Sequence, residues 1–160
     1  MEREEREQVC YTREVALQKA IEMEAKSFDL YKKAYLQAKN RLARDLLRDL
    51  AQDELKHKHT LEKAFFEETV TLHDSGLKEG PSMNLSLLLQ AKPLDQNATD
   101  QDVMIYAIHE EKRAVDFYRN MAGQCEGAPM EQVFKRLFED EENHLSRLEE
   151  MYESVYMQQM

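Results

Sequence analysis

The chain carries one pattern twice, at a fixed offset of 87 residues. Ala20-Ile21-Glu22-Met23-Glu24, running on to Tyr31, aligns with Ala107-Ile108-His109-Glu110-Glu111, running on to Tyr118. Asp53-Glu54-Leu55-Lys56-His57 aligns with Asp140-Glu141-Glu142-Asn143-His144 at the same shift, with no gap between the two matches. Each half thus holds a Glu seven residues before a Tyr, and 30 residues after that Glu a Glu-x-x-His. Four Glu and two His in this arrangement form a ligand set for two metal ions. A fold for this chain must bring both halves of the set together.

Helical periodicity shows how. Four long segments have it, about 12–39, 41–68, 99–124 and a last one that follows Gly127-Ala128-Pro129 and reaches about Tyr156. Thr12 is placed as an N-cap, Asn40 as the joint between the first two segments, and Thr99-x-x-Asp102 as a capping box. Pro129 suits a first helical turn. Between the hairpins, about residues 70–98 form the one long irregular stretch, with Gly76, Gly80, Pro81 and Pro93, and Leu85 to Leu89 suit a brief helix there. A connection of that length predicts a crossover along a bundle rather than a tight turn. The expected fold is all-α: one domain, a four-helix bundle of two helical hairpins, 12–68 and 99–157, joined by the crossover.

Residues alternately three and four apart share one helix stripe. The four stripes are Leu17, Ile21, Glu24, Phe28, Tyr31, Tyr35 and Ala38; Ala43, Leu47, Leu50, Glu54, His57, Leu61 and Ala64; Met104, Ile108, Glu111, Val115, Tyr118 and Ala122; and Phe134, Leu137, Glu141, His144, Leu148, Met151 and Val155. Tyrosines aside, their only ionisable members are Glu24, Glu54, His57, Glu111, Glu141 and His144. One buried ionised carboxylate costs several kcal/mol even after relaxation. Four facing one another would protonate or open the bundle, whereas two divalent cations cancel their charge. A lone Glu-x-x-His in an acidic helical chain says little; two on core-facing stripes, each 30 residues after a stripe Glu, say much more. Tyr31 and Tyr118, two turns beyond Glu24 and Glu111, suit both core packing and hydrogen bonding to ligand carboxylates. His59 faces away from His57 and reads as solvated; His73 falls in the crossover; His109, off the stripe, reads as surface.

The 160 residues include 32 Asp and Glu against 22 Lys and Arg, a formal charge of −10. That balance argues against nucleic acid and anionic membranes as partners. Most of the excess reads as solvated helix faces. The two cysteines, Cys10 and Cys125, make no Cys-x-x-Cys and are expected as free thiols without assigned chemistry. Free thiols, a charged start at Met1 to Gln8 and the lack of a long apolar run lead to the expectation of a soluble, cytoplasmic protein.

A Glu from each of two helices and Glu-x-x-His from each of the other two is the ligand scheme of ferritin-like diiron-carboxylate proteins. Through Glu24 to Tyr31, Asp53-Glu54-x-x-His57, Glu111 to Tyr118 and Asp140-Glu141-x-x-His144, the chain resembles the rubrerythrin-like branch of that superfamily over about 12–157. The resemblance implies that Glu54 and Glu141 bridge two metals, that Glu24 and Glu111 are terminal ligands, and that His57 and His144 hold one metal each. It implies iron as the metal, with zinc or manganese as alternatives, and oxidoreductase chemistry of the kind used against oxidative stress, with hydrogen peroxide or oxygen as oxidant. Two departures qualify it. Full-length rubrerythrins add a four-cysteine rubredoxin-type domain that feeds electrons to the diiron site; this chain has no cysteines for one, so an external electron donor is implied. Peroxidase-type members carry an extra carboxylate one turn after the ligand Glu of the third helix, where this chain has Ala114. The alternatives are a non-catalytic metal-binding or iron-handling protein and a bundle with a structural metal pair. A homodimer is the expected assembly.

Overall fold

The computed structural model describes residues 10, 12–67, 72 and 82–157. The expectations for Met1 to Gln8, His73, Gly76, Gly80, Pro81 and the end of the second segment at Glu68 lie outside these. Four long helices carry the chain: α1 (Arg13–Gln37), α2 (Arg41–Lys63), α4 (Asp100–Gln124) and α5 (Glu131–Val155). α2 runs on into a 3₁₀ turn, Ala64–Phe66, and the crossover holds one helical turn, α3 (Leu85–Leu88). No strand occurs among the described residues. α1 packs along α2 and α4 along α5, and α1–α4 and α2–α5 contacts join the two hairpins. This is the all-α bundle of two hairpins and a crossover that the periodicity predicts.

The ends form where side chains replace missing backbone partners. Thr12 Oγ1 accepts from Val15 N (3.1 Å) and Asn40 Oδ1 from Ala43 N (3.0 Å). Thr99 and Asp102 make the reciprocal capping box, at 3.1 and 3.0 Å. Asp100 reaches across to the other hairpin: its carboxylate accepts from Lys39 N at 2.8 and 2.9 Å, and from Asn40 N. The start of α4 thereby pins the joint between α1 and α2. Pro129 departs from expectation, because α5 begins two residues after it. Gly127, at φ 80°, turns the chain there, and its N–H donates to Glu131 (3.2 Å), so the turn closes before the helix starts.

The described part of the crossover is tied to the bundle by polar anchors. The buried carboxylate of Glu149 accepts from Leu85 N and from Ser82 Oγ, both at 2.9 Å. Gln37 donates to the carbonyl of Asp95 (2.7 Å), and His109 Nε2 lies 2.6 Å from the carbonyl oxygen of Leu89. His109 is therefore no bare surface residue, contrary to the sequence reading; it is half-buried and fastens the crossover. His59 is exposed, as expected.

The apolar interior falls into two clusters. One centres on Leu47, Leu50, Met104, Ile108, Leu148 and Tyr152. The other centres on Leu17, Leu61, Phe134 and Leu137. Helix order places the repeated Glu and His residues between them, as a polar band with an apolar floor and roof.

The candidate metal centre

Glu24, Glu54, Glu111 and Glu141 are at most 1% exposed, and His144 is 3% exposed. The helical rise stacks Glu54 over His57 and Glu141 over His144, so α2 and α5 each present a Glu and a His to the band. α1 and α4 each supply one Glu. The residues form two overlapping groups: Glu24, Glu54, His57 and Glu141, and Glu54, Glu111, Glu141 and His144. Within each group one donor atom per residue lies within 4.8 Å of all the others. Glu54 and Glu141 belong to both groups. The two imidazole rings face each other with centroids 6.3 Å apart and planes inclined by 16°.

The halves support each other crosswise. Tyr118 Oη, from the second half, donates to Glu24 Oε1 (2.8 Å) in the first. Tyr31 Oη, from the first half, donates to Glu111 Oε2 in the second. Both tyrosines are fully buried, and each hydroxyl donates to a carboxylate of the band. The same exchange orients the histidines. His57 Nε2 lies 3.0 Å from Asp140 Oδ2, and His144 Nε2 lies 3.3 Å from Asp53 Oδ2. Each ring thereby turns Nδ1 inward: His144 Nδ1 is 2.8 Å from Glu54 Oε1, and His57 Nδ1 is 3.5 Å from Glu24 Oε2. Sequence reasoning gave Asp53 and Asp140 no role. The signal was available, since both recur at the 87-residue offset next to Glu54 and Glu141. They lie off the core-facing stripe, where acids usually meet only water.

Without metal, the band holds its charge with protons. Burial raises the pKa of Glu24, Glu54 and Glu111, and the charge of Glu141 raises them further. Burial works against a charged imidazole, yet Asp140, Glu24 and Glu141 hold the His57 pKa up at about 10. For His144 the charge of Glu141 and the bond to Asp53 likewise outweigh burial, again to about 10. Glu141 is itself buried, but the neighbouring carboxyl of Glu111 and the charge of His144 depress its pKa. Desolvation and the surrounding carboxylates push both tyrosine hydroxyls well above their ordinary value, so they remain donors.

Six buried atoms in the band have no hydrogen-bond partner: Glu24 Oε2, Glu54 Oε2, His57 Nδ1, Glu111 Oε1 and both oxygens of Glu141. Native interiors leave few polar atoms in this state, and each costs on the order of 1–3 kcal/mol or more. Here they converge on one place, with carboxylate and imidazole chemistry. That donor set suits iron, manganese or zinc. The residues therefore fit a pair of metal ions.

The model of one family, Rubrerythrin, matches residues 15–152. The chain belongs to the rubrerythrin family. That membership implies a diiron site, and the Glu and His cluster is where this member could bind metal. No curated protein and no solved structure matches the chain. Among the described residues no helix is long and apolar enough to cross a membrane.

The cysteines overturn their sequence reading. Cys10 and Cys125 are joined as a disulfide, with Cα atoms 5.5 Å apart, and no free cysteine is found. They lie 115 residues apart in sequence and meet only because the chain just before α1 lies against the end of α4.

Proposed function

We propose that this rubrerythrin-family protein binds two iron ions in the polar band and reduces hydrogen peroxide or oxygen there, with electrons from an external donor. The observation that carries the reading is the overlap of the two donor groups at Glu54 and Glu141, inside a dry band of unpartnered oxygens. Glu54 and Glu141, the two residues common to both donor groups, would hold both ions. Glu24 and Glu111 would each hold one of them through the oxygen that their tyrosine leaves unused. His57 and His144 would bind through Nδ1, with Asp140 and Asp53 beside Nε2 holding the rings in place. An iron pair supplies, when bound, two electrons to an oxidant that reaches it.

The protein residues do the remaining work. The clusters around Leu50 and Phe134 keep bulk water from the band, which strengthens every electrostatic contact inside it. The hydroxyls of Tyr31 and Tyr118 hold Glu111 and Glu24 in one orientation, so that little reorganisation is needed as charge changes. Ala114 is buried and small, which leaves no carboxylate one turn beyond Glu111. The site thereby stays close to twofold symmetric, with four carboxylates rather than five.

Stopped-flow spectroscopy on anaerobically iron-loaded protein tests the reading. A single addition of hydrogen peroxide should oxidise the site once, and continued turnover should need an added electron donor. His57→Ala and His144→Ala should each slow the oxidation at least tenfold, a barrier change of about 1.4 kcal/mol, whereas His59→Ala should leave it unchanged. Ala114→Glu should speed the peroxide reaction relative to the oxygen reaction. Failure of fully iron-loaded protein to react with either oxidant would remove the redox role and leave metal handling or a structural metal pair.

A further inference from the structure

The reading above needs an electron source, and the disulfide lies at the apolar cluster on one side of the band. Cys10 and Cys125 are the chain's only cysteines. Their Cα separation of 5.5 Å falls within the range in which a disulfide forms and breaks without moving the backbone. Cys125 is 1% exposed and belongs to the apolar cluster that also holds Met121, Tyr118 and Phe134. Cys10 packs on that cluster from outside and is half-buried. Met121 and Tyr118 precede Cys125 by four and seven residues on α4, so all three lie on one face of the helix. The rise from Cys125 to Tyr118 is about 10 Å. Tyr118 Oη then lies 2.8 Å from Glu24 Oε1. A continuous run of packed side chains thus leads from the sulfurs to a residue of the metal band. Cys10 is the outer, half-buried residue of the pair, and Cys125 is the inner, buried one.

We propose that Cys10 and Cys125 form a redox-active dithiol that delivers an electron pair to the metal site. This rests on the peroxide-reducing reading. The two thiols lose two electrons and two protons as the S–S bond forms. One hydrogen peroxide takes up two electrons and two protons as its O–O bond breaks, giving two water molecules. An external dithiol then attacks the sulfur of half-buried Cys10, frees the Cys125 thiol, and leaves as its own disulfide while both cysteines are restored. The net reaction is one peroxide and one external dithiol giving two waters and one external disulfide. Attack on the outer cysteine makes the external donor a thiol-based reductant.

The test uses the full chain, reduced and iron-loaded without oxygen, titrated with hydrogen peroxide, acid-quenched, alkylated and weighed by mass spectrometry. Wild-type protein should consume two peroxides per chain, one for the iron pair and one for the thiols. Cys125→Ser and, as a milder change near the start of the chain, Cys10→Ser should each consume one while binding the same amount of iron. Thiol loss should be at least tenfold faster in iron-loaded protein than in metal-free protein. Equal rates in the two would overturn the proposal and leave the disulfide as a structural cross-link. Iron oxidised by one peroxide with both thiols intact would overturn it as well, while the peroxide-reducing reading stands. Iron that peroxide does not oxidise would overturn both.

Discussion

Glu24 and Glu111 each use one oxygen on a tyrosine from the opposite half and keep the other unpartnered. Each histidine uses Nε2 on an aspartate from the opposite half and turns Nδ1 inward. This division of labour makes the aspartates testable. Asp140→Asn and Asp53→Asn should weaken metal binding by roughly 10–100-fold, measured by competition with a chelator, while the four glutamates stay in place. Unchanged affinity would mean that the aspartates do not set the imidazoles. The protons that hold the metal-free site together make a second prediction. Both imidazole pKa values are raised from 6.5 to about 10. Their contribution to stability is therefore complete below pH 6.5 and is lost as pH rises towards 10. The raised pKa values of Glu24, Glu54 and Glu111 act in the same direction from pH 4.5 upward. Glu141, held low, acts oppositely: its contribution is present above pH 4.5 and lost as pH falls through its depressed value. Calorimetry of the metal-free protein should show Tm falling from pH 6.5 to 10. The metal-loaded protein should fall less, because metal binding displaces these protons. A metal-free Tm that rises over this window would contradict the account.

At the scale of the elements, caps and cross-links position the band more than helix propensity does. Thr99→Ala removes one side of the capping box and should cost about 1 kcal/mol in denaturant unfolding. The Cys10–Cys125 bond spans a separation of 115 residues and encloses α1 to α4. Its reduction should cost about 2–4 kcal/mol, seen as a lower denaturation midpoint in the presence of reductant; equal midpoints would show that the bond restrains nothing. These elements also show what a sequence can and cannot reveal. Thr12 and Thr99 were legible as caps, and Asn40 as a joint, because capping is local, a matter of residues within one turn. The stripes were legible because burial follows helical period. Pro129 misled, because the turn at Gly127 takes up two more residues before α5 begins. Asp53 and Asp140 went unread, although they recur with the ligand pattern, because their partners lie on another helix and off the core-facing stripe. The cysteine pair was hidden for the same reason at longer range: no local pattern announces a contact between residue 10 and residue 125.

The whole molecule is a twofold pattern folded on itself. Each half supplies two glutamates and a histidine, and each half's tyrosine and aspartate hold ligands of the other. A single hairpin would leave its two glutamates and histidine facing solvent, so the band exists only when both hairpins close. The apolar clusters on either side then bury it, and several of its carboxylate oxygens lack partners. The central claim is that two metal ions sit between the hairpins and share Glu54 and Glu141. Anomalous diffraction from crystals of iron-loaded protein, with iron content measured on the same sample, tests it most directly. The account predicts two iron ions per chain, a few ångströms apart, one beside His57 Nδ1 and one beside His144 Nδ1, both in contact with Glu54 and Glu141. A single ion per chain, or ions bound away from these two glutamates, would contradict it.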